Sequence, residues 1–472
     1  MKNINRILII SLLFAFQSCG DDYLSPTPES AISASAYYTT EAQLETGVIN
    51  MYDGIQGINS TSSNDNHSIQ VEFYLTEMRS DNTRTKSSEG EPEQFENYTV
   101  ESTNGIVGDY YRSVYNTIYR ANIVLENLGV ASAAAAASFE GEAKFVRAYS
   151  YFQLVRLFGD IPLVTSVIGP EDTDIQFTRV STSEVYNLIV SDLETASANL
   201  DNSYRTRASK SAAQALLAKV QLTLGNYSAA QSLCESVMGA GYELEANFKD
   251  VFYTEANSEV IFAIGYAPDD SKDSQNFSAE WLNAVGRTSG VNYVTDEAVA
   301  ALDALGGDRT AYSYRIDPGQ TEQSQVVKYL PNGDEGLEIP ATSSDPTMAG
   351  NDWIVLRYAD VLLMHAEAIM GSAPNTVNAA AIASFQKVRD RAGLTAAVSE
   401  ITKSSLLDER RVELAFENQR LFDLIRLGFA QSVLSEFATN NGFSFTPNDL
   451  LLPIPNNEIG LSNGLLTQNP GY

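Results

Sequence analysis

RYADVLLMHAEAI, running from Arg357 to Ile369, decides the fold. It contains no Gly or Pro and places Leu362, Ala366 and Ile369 on one helical stripe, with Tyr358, Val361 and Ala368 close beside it. A helix apolar over so much of its circumference belongs between other helices, so the run predicts a bundle or superhelix. Its partners follow at once. After the breakers between Gly371 and Pro374, an alanine-rich helix is expected over Thr376 to Ala392, and after Gly393 another over Ser404 to Glu417. In LLDERRVELAFE, Arg410 and Glu413 share a face while Leu407, Val412 and Leu414 stay apolar. Asn418 reads as a left-handed cap, and QRLFDLIRLG as a last short helix ended by Gly428. Charges packed this densely among apolar positions (Arg410, Arg411, Glu413, Asp423, Arg426) are expected to lock helices together.

Upstream, helices are expected over Glu41 to Ile55, Asp109 to Leu128, Ser138 to Phe158, Ser183 to Leu200, Ser209 to Leu224 and Tyr227 to Met238, with Ser181 or Thr182 as an N-cap. LGNYSAAQSLCESVM looks like the second half of a tetratricopeptide repeat, with Gly225 at the turn, Tyr227 as the aromatic wedge and Ala230 as the small contact. EVIFAIGY, from Glu259 to Tyr266, has the β-branched character of a buried strand. A polar loop from Ala267 to Asn292, a short helix from Asp296 to Leu305 and a strand over Gln325 to Tyr329 follow. The closing LLPIP cannot be helical through its prolines and should pack along the scaffold. Phe73 to Val107 shows mixed charge without periodicity and reads as an irregular surface excursion, preceded by a polar loop from Gly57 to His67.

RYADVLLMHAEA, ERRVELAFENQRLFDLIRLG (Glu409 to Gly428) and LLPIPNNEIGLSNGLLTQNPGY (Leu451 to Tyr472) resemble the C-terminal blocks of the SusD/RagB family of outer-membrane nutrient-binding lipoproteins. YRANIVLEN (Tyr119 to Asn127) and EAKFVRAYSYFQLVRLFGDIPLV (Glu142 to Val164) continue the resemblance upstream, in the family's order. It implies a mainly α fold: a superhelix of tetratricopeptide-like hairpins carrying an irregular, loop-rich α+β subdomain. The expected division is 1–18 signal peptide, 19–35 tether and 36–472 SusD-like domain, with a scaffold over about 40–250 and 353–430 and an irregular face over about 60–107 and 259–352.

The amino terminus carries Lys2 and Arg6, then an apolar run from Ile7 to Phe16, long enough for a signal-peptide core and too short to span a bilayer. Cys19 follows after the small Ser18, like a lipoprotein processing site, so acyl chains on Cys19 would anchor the protein; Asp21 and Asp22 resemble the acidic stretch that accompanies surface display in the family. Cys234 is then the one remaining thiol and can form no intramolecular disulfide. Set among apolar helix residues, it reads as a small core residue.

With 60 acidic against 30 basic residues, the formal charge of −30 repels phosphate backbones and sets nucleic acid aside as a partner. It also disfavours a strongly anionic polysaccharide. The two histidines, His67 in a polar loop and His365 in the central helix, give no zinc-protease motif, and no G-x-S-x-G or phosphate loop is present, so no catalytic set, cofactor or metal is expected. A glycosidase carboxylate pair is defined in space rather than along the chain, so a lipoprotein glycoside hydrolase stays an alternative, as does peptide uptake of the RagB type. A sugar needs an aromatic face flanked by amides, carboxylates or arginine. The resemblance implies such a site on the irregular face, and its candidates are Trp281, Phe277, Asn276 and Asn283 in the later loop with Tyr74, Glu77, Arg79, Asp81 and Asn82 in the earlier one. Trp353 reads as packing. The implied ligand is a neutral glycan such as a laminarin-like β-glucan, and the implied partner is a SusC-like TonB-dependent outer-membrane transporter.

Overall fold

The computed structural model describes residues 37–57, 69–85, 90–169, 173–277, 292–317 and 320–472. Its principal helices before the insert are α1 (Glu41–Gln56), α2 (Ile69–Leu75), α3 (Gly105–Glu126), α4 (Ala133–Phe158), α5 (Thr182–Asn199), α6 (Lys210–Thr223) and α7 (Tyr227–Met238). Short polar side chains start them where the sequence puts them. Thr40, Asn104, Ser181 and Ser209 each accept a backbone N–H from the first turn of the helix that follows. Each long helix packs on the next in order, α1 on α3, α3 on α4, α4 on α5, α5 on α6 and α6 on α7, which is the stacking of a hairpin superhelix. Gly141 lets α4 and α5 close up, since a Cβ there would lie 2.8 Å from the Leu200 side chain.

The insert follows: β2 (Val260–Ile264), β3 (Asn292–Val294), α8 (Asp296–Leu305), β4 (Tyr314–Asp317) and β5 (Gln320–Val326). With β1 (Thr83–Thr85), the last three of these strands build a four-stranded sheet in the order β1-β3-β5-β4, antiparallel throughout. β5 ends before the expected Tyr329, because Tyr329 turns the chain at φ 67° and no strand tolerates that conformation.

The chain returns to the scaffold through β6 (Trp353–Arg357), which pairs with β2, and enters α9 (Tyr358–Met370). Here the expected helix is present and buried on nearly every face, wedged between α7 and α10 (Ala379–Arg391). α11 (Lys403–Glu413), α12 (Arg420–Leu427) and α13 (Ala430–Asn440) complete the block. Asn418 is left-handed at φ 58° and Gly428 at φ 84°, as the sequence indicates. The charges do lock helices, but Arg410 and Glu413 do not pair with each other. Arg410 sits 2.9 Å from both Asp360 on α9 and Asp423 on α12, while Glu413 meets Arg309, Arg357 and Arg391.

Cys234 is fully buried, and burial pushes its thiol far above the ordinary range. His365 is a hydrogen-bonded core residue, its Nδ1 2.8 Å from Ser384 Oγ. The proline-rich C-terminal segment lies along α4: the Leu452 N–H donates to the Leu157 carbonyl at 2.7 Å, and Asn469 Nδ2 to that of Phe158 at 2.8 Å. Among the described residues, no helix is long and apolar enough to cross a membrane.

One expectation is overturned. The described parts of Phe73 to Val107 are largely buried instead of forming a surface excursion: Phe73, Leu75, Met78 and Phe95 have no exposed area. Among the charges that made the segment look solvated, Asp81 is matched by two arginines more than 300 residues further on, which allows it inside.

Candidate functional site

β1 and β3 bring the two expected binding segments together. Thr85 pairs with Asn292, so the earlier segment and the end of the later loop leave the sheet side by side. Trp281 and Asn283, like His67 and Cys19, lie outside the described residues. Of the later-loop candidates that are described, Phe277 is buried, with its ring centroid 5.4 Å from Phe73 and 5.6 Å from Trp353, and Asn276 beside it is half-buried. Trp353 is packing, as its place before α9 indicates.

The earlier candidates face inward. Tyr74 is buried with its ring stacked 6.3 Å from Phe95. Glu77 has no exposed area and accepts from Asn82 Nδ2 at 2.8 Å and from the Phe416 amide at 3.0 Å. Burial pushes the Glu77 carboxyl up to about 7 against those two hydrogen bonds. Arg79 donates to the carbonyls of Leu75 and Asp449. Asp81 is held by Arg420 at 2.7 Å and Arg411 at 3.0 Å, and Asn82 Oδ1 accepts from Arg411 Nε at 3.0 Å. Burial alone would raise the Asp81 carboxyl; the two guanidiniums overcome it and hold it well below the usual range. These four polar side chains clamp their segment to α11, α12 and the C-terminal chain, and a buried group already carrying its partners has little to offer a ligand.

Arg84, close by in the chain, is partly exposed instead. On β1 it alternates with buried Thr83 and Thr85, so its side chain leaves the opposite face of the strand. It is a quarter exposed and lies directly across from Tyr293, with its guanidinium 5.9 Å from the Tyr293 ring and 5.4 Å from that of Phe443. It donates to Asn441 Oδ1 and stands 3.6 Å from Glu96, whose carboxyl is raised by burial although Thr85 and Arg84 oppose this. Tyr98 and Phe445 pack edge-on at 5.0 Å nearby. Two partly exposed rings, a guanidinium and an amide therefore meet beside the pairing of β1 with β3. This is the chemistry for stacking on one face of a polyol and hydrogen-bonding its rim. Arg84 could have been found from the strand alternation in NTRT. Asn441 and Phe443 could not, since they arrive from the far end of the chain.

Among the described residues, no group of three or more His, Cys, Asp or Glu side chains could hold a metal ion.

A hairpin superhelix carrying this insert is the fold of SusD-like proteins. A structure described as a laminarin-binding SusD-like protein superposes with a TM-score of 0.76 at 25% identity, covering 92% of this chain and 100% of the other. Surface glycan-binding protein A of Bacteroides thetaiotaomicron, solved with laminarihexaose, gives a TM-score of 0.76 at 21% identity over 91% of this chain and 100% of its own, which speaks for the fold. The chain belongs to the SusD family: the family model of that description matches residues 191–472, and one described as starch-binding and associating with the outer membrane matches residues 22–222. A SusD-like protein of Formosa agariphila is 27% identical over 99% of both chains.

Proposed function

We propose that the protein is a glycan-binding lipoprotein of the outer membrane, anchored through acylated Cys19 and facing the cell exterior. It captures a neutral oligosaccharide or polysaccharide, a laminarin-like β-glucan by preference, without cleaving it, and passes it to a SusC-like TonB-dependent transporter. The observation that carries the reading is the Arg84, Tyr293, Phe443 and Asn441 cluster beside the pairing of the two binding segments. The fold shared with a protein described as laminarin-binding supports the ligand class. The net charge of −30 favours a neutral over an anionic glycan.

Affinity electrophoresis through gels containing laminarin, starch or inulin tests it. Retardation is expected in at least the laminarin gel and is expected to be lost in Trp281→Ala. Incubation with the same glycans should release no new reducing ends. Turnover that disappears on replacing one carboxylate would establish a hydrolase instead, and retardation by none of the gels would withdraw the glycan.

A further inference from the structure

The sheet that carries Arg84 on one edge strand has β4 as its other edge, and a cleft of about 890 Å³ opens there. Its walls are Tyr312 and Tyr314, both partly exposed, together with Asn247, Lys249, Thr310 and Arg315. Phe248 and Arg391 also line it, and both are buried, so they form its floor. The Arg391 side chain is only 4% exposed. Its two terminal nitrogens donate to Glu259 and Glu413.

The charges say what kind of ligand the cleft suits. Arg391 already has two carboxylates, Lys249 stands 3.3 Å from Glu338, and Arg315 pairs with Asp334. Asp308 adds a further exposed carboxylate to the lining. An anion would thus meet no unmatched cation, and a purely apolar ligand would strand the polar wall. A neutral molecule with many hydroxyls and an apolar C–H face satisfies both.

We infer that this cleft is a second saccharide site, in which a neutral oligosaccharide lies on Tyr312 and Tyr314 and hydrogen-bonds the exposed Asn247 amide. The inference rests on the saccharide-binding reading above but uses none of its residues. Three strand spacings, roughly 14 Å, separate the two edge strands, so one site can fill without blocking the other.

The test is calorimetry and crystal soaking of the mature chain with laminarihexaose, maltohexaose and a fructo-oligosaccharide, repeated on Tyr314→Ala and Tyr293→Ala. At least one sugar is expected to give density at both places and a stoichiometry of two. Tyr314→Ala should weaken the cleft about tenfold or more and leave the Arg84 site intact, with Tyr293→Ala doing the reverse. Density at Arg84 alone, or density in the cleft without heat in solution, overturns the second site and leaves the first standing. No binding at either place withdraws both readings. Oligogalacturonate filling the cleft where neutral sugars do not overturns the ligand class.

Discussion

Arg357 and Arg84 both sit on short strands, and they do opposite work. Arg357 is 1% exposed and is gripped by Glu259, Glu413 and Glu417, all within 2.8 Å. Arg84 is 25% exposed, has one carboxylate at 3.6 Å, and otherwise meets two rings and an amide. A guanidinium whose donors are all matched by buried carboxylates is a structural rivet; one with spare donors beside aromatic faces is available to a ligand. The contrast teaches that in so charged a chain the polar residues most visible in the sequence are consumed by the scaffold, and those free to bind are the less crowded ones at its edge.

The sharpest break of this contrast is Arg357→Met, which leaves three buried carboxylates without their shared cation. A loss of about 3–5 kcal/mol is expected in urea unfolding, and a loss below about 1 kcal/mol would refute the rivet. Asp81→Asn comes next, at about 3 kcal/mol, because Arg411 and Arg420 lose their common partner. The depressed Asp81 carboxyl contributes stability that is present above its unfolded value of 3.8 and is lost as pH falls below it. The wild type should therefore lose stability on acidification more steeply than the variant.

Glu77 carries the opposite sign. Its folded value of about 7 exceeds the ordinary 4.5, so the folded state holds the proton longer, and stability falls as pH rises between those two values. Up to about 3 kcal/mol is at stake by linkage. Glu77→Gln should flatten the unfolding midpoint between pH 5 and 7, as read by thermal melts in that window; an unchanged slope would assign the dependence elsewhere. The smallest effect on folding is expected from Tyr293→Ala, under about 1 kcal/mol, since the ring is partly solvated. Its expected cost lies in binding, about tenfold in glycan affinity by calorimetry, and equal loss of both would move Tyr293 to the rivet class.

Periodicity and capping make most of the helical scaffold legible. Tyr227–Met238 and Asp296–Leu305 coincide with their expected spans, and α9 differs by a residue, because a local code of apolar spacing and terminal glycine fixes such elements without help from afar. The candidate site is less legible. Glu77, Arg79, Asp81 and Asn82 look like solvated loop residues because their partners, Phe416, Asp449, Arg420 and Arg411, stand more than 300 positions away. Arg84 is hidden amid the same charges.

What the sequence alone determined was the family, the order of the helices and the interior place of Cys234, His365 and Trp353, since each follows from short-range pattern or apolar context. Which charges are buried and which meet the solvent was decided only by the tertiary structure. Burial of a charge depends on whether an opposite charge or a hydrogen-bond partner arrives within about 3 Å, and that depends on how distant segments pack.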